Sequence, residues 1–298
     1  MRSFLLAALA ALAFQESDPY DQSKVPIEVE PSDASLAKVV LVAGRMSHGP
    51  GDHEYFAGLA LLMKMLQQTP GVAPVMVRDG WPKNEKVFEN AKSIVFFCDG
   101  GGGHTLVQGN RMDVVQKEID KGAGFVCLHY GVNFPAKASD RILSWLGGHI
   151  LGGYSTSLAT KWTAEFKSLP DHPTARGLKP FTLNDEWYYF CKFVPDMKGI
   201  TPILKTVPPE NTRQTGPSKE HPGREEITAW AYHRENGGRS FGFTGGHLHK
   251  NWGDDSVRRL VTNAILWTAQ VEVPSGGAKV DLDPADLNRN LDDKRKKK

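Results

Sequence analysis

Three cysteines in 298 residues do not make a disulfide framework, so the fold must rest on an apolar core. Cys98 and Cys127 each lie in a β-rich apolar run and read as buried, inert thiols, with Cys191 the odd one left. A dominant charge is also missing. The formal net charge is +2, and the basic excess sits in Lys294–Lys298, which reads as a solvated tail. No basic stripe interleaves with aromatics in the body of the chain, so a nucleic-acid partner is not expected. No internal repeat is present, and the apolar stretch Phe4 to Leu12 is too short to span a bilayer.

That short stretch fits an export signal instead. Arg2 supplies a positive charge and Ala11-Leu12-Ala13 a small-residue cleavage site, so residues 1–13 read as a signal peptide and the protein as exported, periplasmic or secreted. No cysteine follows, which argues against lipid anchoring. Residues 14–36 are polar and proline-bearing and read as a linker; residues 271–298, rich in Pro, Gly, Asp and Lys, are expected to form an extended tail. What remains, 37–270, is about 235 residues, the size of one large α/β domain.

Its first half alternates strand and helix. Lys38 to Ala43 is a continuous apolar run expected of a strand buried on both faces, and Glu54 to Gln68 carries Phe56, Leu59, Leu62, Met63 and Leu66 at helical spacing. Strands at Val75–Val77, Ser93–Cys98 and Gly124–His129 follow, with a helix at Arg111–Lys121. This pattern predicts a doubly wound, mostly parallel sheet flanked by helices, of flavodoxin-like type. The second half reads as strands at Lys161–Phe166, Phe181–Leu183, Thr201–Thr206, Ile227–His233 and Arg239–Phe243, partly antiparallel, with a mobile loop at Pro208–Gly223 and a closing helix at Asp254–Thr268.

His48, His104, His129 and His247 all fall where a strand stops or a glycine-rich turn begins. In such a sheet the carboxyl strand ends converge on one crevice, so these imidazoles are expected to meet there, with His149 as a further lining residue. Two other readings are weaker. Asp99-Gly-Gly-Gly-Gly-His104 lacks the lysine and threonine of a phosphate loop and reads as backbone that turns tightly or approaches a ligand closely. His48 with His53-Glu54, and His247 with His249, match no standard zinc signature, and His53-Glu54 more simply opens the first crossover helix. No metal and no cofactor are therefore expected. His172, His221 and His233 read as surface or packing residues.

Taken together, Gly44-Arg-Met-Ser-His48-Gly-Pro-Gly-Asp52-His53-Glu54, Gly122-Ala-Gly-Phe-Val-Cys-Leu-His129, Gly147-Gly-His149-Ile-Leu-Gly-Gly153-Tyr154, Asp185-Glu186-Trp-Tyr188 and Gly245-Gly-His247 before Asn263-Ala-Ile-Leu-Trp267 resemble the ThuA-like (trehalose utilisation) family. That family shares the class I glutamine amidotransferase-like fold, and the resemblance runs from Val39 to Gln270. Amidotransferases of that fold carry cysteine at the strand-to-helix elbow; this chain has His129, and His247 is followed by Leu248-His249, so glutaminase chemistry is not implied.

What the resemblance implies is a role in carbohydrate metabolism. A sugar or keto-sugar needs dense hydrogen bonding and an aromatic face. His129, His247 and Glu186 are the expected acid/base residues, and His48, Asp99, Gly100, Tyr154, Asp185, Tyr188 and Trp252 the expected substrate contacts. A hydrolase or isomerase of sugar derivatives, a non-catalytic carbohydrate-binding module, and a metal-dependent hydrolase all stay open at this point.

Overall fold

The computed structural model describes residues 18–296 apart from 153, 156–159 and 215, and the expected leader at 1–13 lies outside the described residues. Strand β1 (Ala37–Ala43) leads through helix α1 (Tyr55–Leu66) to β2 (Val72–Val77) and β3 (Ser93–Phe97). Then come α2 (Arg111–Asp120), β4 (Gly124–Leu128), α3 (Ser139–Leu146) and β5 (Gly148–His149). The second half holds β6 (Lys161–Phe166), β7 (Phe181–Glu186), β8 (Lys192–Phe193), β9 (Ile200–Thr206), α4 (Gly216–Lys219), β10 (Glu226–His233), β11 (Arg239–Phe243) and α5 (Asp255–Thr268).

Seven strands form one sheet in the order β2-β1-β3-β4-β11-β10-β9. The five from β2 to β11 are parallel, and β10 runs antiparallel to both β11 and β9, as the loop-rich second half predicts. Alternation along β1 divides the core. Val39, Leu41 and Ala43 face a layer built with α1 and α5, while Val40 and Val42 face a second layer with Val115 of α2 and Ile142 and Trp145 of α3. Each such aliphatic side chain removed from water stabilises the fold by about 1.5–3 kcal/mol. At the start of α5, Asp254 caps the helix by accepting from the Ser256 amide at 2.8 Å.

Helix α3 was not among the expected elements. Its signal is present: Ile142, Trp145 and Leu146 are buried at three- and four-residue spacing, and Gly147 closes it in the left-handed region at φ 76°.

Both flanking segments also depart from expectation. From residue 18 onward the linker lies on the domain, with Val25 and Ile27 against the core and the Glu28 amide donating to Met76 O at 2.8 Å. The tail does not float: Val273, Ala278 and Val280 are buried, and Lys294, expected in a solvated run, is buried with its ammonium 3.1 Å from Glu54. Polar composition hid these contacts, because short apolar anchors spaced along a Pro/Gly-rich strap leave no periodic pattern.

Candidate functional site

Strand order reverses between β1 and β3, and the carboxyl ends of the strands around that point deliver the polar groups. His53 follows β1, Asp99 follows β3, His129 follows β4 and His247 follows β11. Glu186 comes from elsewhere: it is the last residue of β7, whose antiparallel hairpin with β6 lies outside the main sheet.

Four of these side chains point at one another. His53 Nε2 lies 2.9 Å from His247 Nδ1 and 3.1 Å from His129 Nε2, and the last two atoms are 3.3 Å apart. Glu186 Oε2 completes the set at 3.2 Å from His247 Nδ1 and 3.5 Å from His129 Nε2. Tyr188 donates to the same carboxylate oxygen at 3.3 Å and stacks its ring on His129 at 5.2 Å.

The outer nitrogens of two of the rings are anchored to acceptors, and that of the third faces a carboxylate without a hydrogen bond. His129 Nδ1 meets the Thr244 carbonyl at 2.9 Å, and a carbonyl only accepts, so that nitrogen carries the proton. Tyr55 donates to Asp99 Oδ1 at 2.7 Å, which leaves its oxygen to accept from His53 Nδ1. His247 Nε2 faces Asp52 Oδ2 at 3.2 Å. The first two contacts fix tautomers in which the inward nitrogens of His129 and His53 bear lone pairs, whereas Asp52 acts on His247 by charge rather than by a hydrogen bond.

Backbone geometry is committed to this arrangement. His48, His53 and His129 have φ of 58°, 50° and 50°, a region that costs a non-glycine residue about 1–3 kcal/mol. The ring of His48 lies flat on that of His53, with centroids 3.6 Å apart.

Burial and neighbours set the charges. Burial pushes the His53 imidazole down to about 3, and it lowers His48 too, against the pull of Asp99. Burial opposes ionisation of Asp99, but His53, Tyr55 and Ser47 outweigh it and bring the carboxyl down to about 2. The same contest at Glu186 ends with its pKa lowered by His129 and His247. Burial works against a charge on His247, yet Glu186 and Asp52 prevail and raise it.

Solvent reaches the edge of this cluster rather than its centre. The side chains of His129 and His247 are 0% and 5% exposed, whereas Asp52, Asp99 and His48 are 32%, 35% and 42% exposed and form the mouth.

Of the expected site residues, His129, His247, Glu186, His48, Asp99 and Tyr188 are brought together, and four others do different work. Trp252 is 1% exposed and packs on Phe97 and the open side of Gly58, so it offers no face to a sugar. Tyr154 is exposed with Phe190 as its ring neighbour. Gly100 is required by protein rather than ligand, since a Cβ there would overlap the Tyr130 carbonyl. Asp185 spends its carboxylate on the backbone amides of Glu186, Gly246 and Leu248 at 2.8, 2.7 and 3.2 Å, which makes it a positioning residue for the His247 turn.

His104 and His149 do not join the crevice. His104 is fully buried against Phe134 with Nε2 on the Gly131 carbonyl, and His149 pairs with Ser139 and the Ile150 carbonyl. Cys127 is buried, and its thiol pKa is pushed well up by desolvation, as expected of an inert thiol. Sequence reasoning set His53 aside as the opening of a helix and gave Asp52 no role. Helix α1 in fact begins at Tyr55, leaving His53 in a turn where its ring swings inward.

The model of the ThuA family, described as trehalose utilisation, matches residues 39–268. The chain belongs to the ThuA family. A ThuA-like protein from Parabacteroides merdae is 16% identical with a TM-score of 0.57, over 85% of this chain and 99% of that one. A ThuA-like protein from Bacteroides uniformis is likewise 16% identical with a TM-score of 0.55, over 80% of this chain and 94% of the other. At that identity the likeness establishes the ThuA fold alone. No curated protein matches the sequence.

Proposed function

We propose that this ThuA protein is exported and takes a sugar or keto-sugar derivative at the crevice where His53, His129, Glu186 and His247 meet, acting on it by proton transfer. ThuA membership supports the carbohydrate class, and the leader-like pattern of residues 1–13 supports export.

The observation that carries the chemistry is the position of His247 between two carboxylates, Glu186 at 3.2 Å and Asp52 at 3.2 Å. Both favour the imidazolium, so the ring is suited to hold a proton and return it at a sugar hydroxyl or at carbon beside a carbonyl. His129, locked by the Thr244 carbonyl, keeps its inner nitrogen available as an acceptor. A ligand enters past His48, Asp52 and Asp99, whose exposed polar atoms offer hydrogen bonds to hydroxyls.

The sealed state of the rings favours a second reading, a binding module that uses only the polar mouth. Keto- and unmodified disaccharides offered to the wild type, Glu186→Gln and Asp99→Asn separate the two. Turnover lost by at least 100-fold in Glu186→Gln with ligand-induced thermal stabilisation retained supports catalysis. Binding without turnover in the wild type supports the module, and no stabilisation by any sugar sinks both.

A further inference from the structure

The four inward atoms pose a problem of charge. With Nδ1 of both His53 and His129 proton-bearing, their Nε2 atoms confront each other as lone pairs at 3.1 Å, with His247 Nδ1 2.9 and 3.3 Å away and an ionised Glu186 oxygen beside them. Lone pairs at that distance repel. One proton on His247 Nδ1 satisfies Glu186 and leaves His129 Nε2 facing only acceptors. Burial removes water as an alternative partner, since all four residues are at most 4% exposed.

A cation at the centre resolves every contact at once. With bonds of about 2.0–2.1 Å, two ligands set 90–110° apart on a metal ion are themselves separated by about 3–3.4 Å. The spacings between imidazole nitrogens, 2.9–3.3 Å, fall in that range or just below it, Glu186 Oε2 lies 3.2 and 3.5 Å from two of those nitrogens, and all four atoms lie within 4.8 Å of one another. The outer contacts match what such ligands need: a carbonyl behind His129, a tyrosine–aspartate pair behind His53 and a carboxylate behind His247. Left-handed backbone at His53 and His129 is strain that a bond to each ring can offset.

We propose that His53, His129, His247 and Glu186 are the ligands of a single divalent transition-metal ion. Three imidazoles and one carboxylate select an ion such as zinc, cobalt(II) or iron(II) over magnesium or calcium, which take oxygen-only shells. A bound ion would take up the inward nitrogens of His129 and His247, so the proton transfer assigned to them above would fall to Asp52, Asp99 and His48 at the mouth, while the ion would supply Lewis-acid polarisation of a substrate oxygen that reached it. The proposal rests on the same cluster as the function above but not on the sugar.

The test is elemental analysis of the full chain purified without chelator, followed by chelation and titration with cobalt(II), zinc and magnesium. About one equivalent of transition metal, visible cobalt absorption with near-tetrahedral or five-coordinate intensity, and a rise in Tm with cobalt or zinc but not magnesium are expected. Glu186→Gln and His247→Gln should each weaken cobalt binding at least 10-fold while keeping a cooperative thermal transition, and His233→Ala, outside the site, should leave it unchanged. Substoichiometric metal with no cobalt spectrum, or equal affinity in the two ligand variants, overturns the proposal. Metal binding in a protein that no sugar stabilises would leave the proposal standing and remove the sugar reading.

Discussion

Lys294 places its ammonium 3.1 Å from the Glu54 carboxylate, and both side chains are almost fully buried. The same ammonium donates to the carbonyls of Gly49, Asp52 and His53, while Glu54 also accepts from the amides of Gly51 and Asp292. A strap from beyond α5 thus holds the turn that presents Asp52 and His53.

Removing one partner of such a pair strands the other. Lys294→Met is expected to cost about 3–5 kcal/mol in urea denaturation and to loosen the site, and adding Glu54→Gln should recover part of the loss. A change under about 1 kcal/mol would show that the strap does not clamp the turn.

Asp185 sits beneath the His247 turn and accepts from three backbone amides, two of them across the site. Asp185→Asn removes the charge behind those bonds and offers a donor where only acceptors fit. About 2–4 kcal/mol of stability should be lost, with cobalt affinity falling alongside. Unaltered affinity would place the control of His247 elsewhere.

Acid should unfold the protein through its neutral histidines. Burial holds His104 at about 3, against an ordinary value of 6.5. The unfolded chain therefore takes up a proton that the folded one refuses. Stability from this group is intact above pH 6.5 and declines as pH falls toward 3, by about 2 kcal/mol at pH 5. In His104→Gln the proton uptake on unfolding at pH 5 should drop by about one; an identical pH slope in the variant would rule this out.

Gly100 runs against the Tyr130 carbonyl, with Asn133 Cβ 2.7 Å from where a side chain would start. Gly100→Ala should cost about 1–3 kcal/mol. Because Asp99 is its neighbour, a crystal structure of the variant should show the Tyr55–Asp99 bond lengthened.

The sheet was legible because apolar runs bounded by glycine, such as Lys38–Ala43, admit few other readings. The meeting of His129 and His247 was legible because parallel strands must end on the same side. His53 was not: a histidine before a helical pattern is ambiguous until one knows that its backbone turns left-handed, which depends on Asp52 pairing with Leu248 across the crevice. Asp185 and Trp252 were misread for a related reason, since residue type reports what a side chain can bond and not whether protein atoms have already claimed it. The strap escaped notice because Lys294 sits among like charges, and only the buried Glu54 distinguishes it.

The left-handed conformation at His48, His53 and His129 sets evolutionary stability and chemistry against each other. Glycine or asparagine relaxes the backbone at each of the three positions, so a library sorted for heat resistance alone would shed these imidazoles early and return a sturdier, inert sheet. Engineers who want this scaffold hardened must therefore select for occupancy of the crevice in the same round.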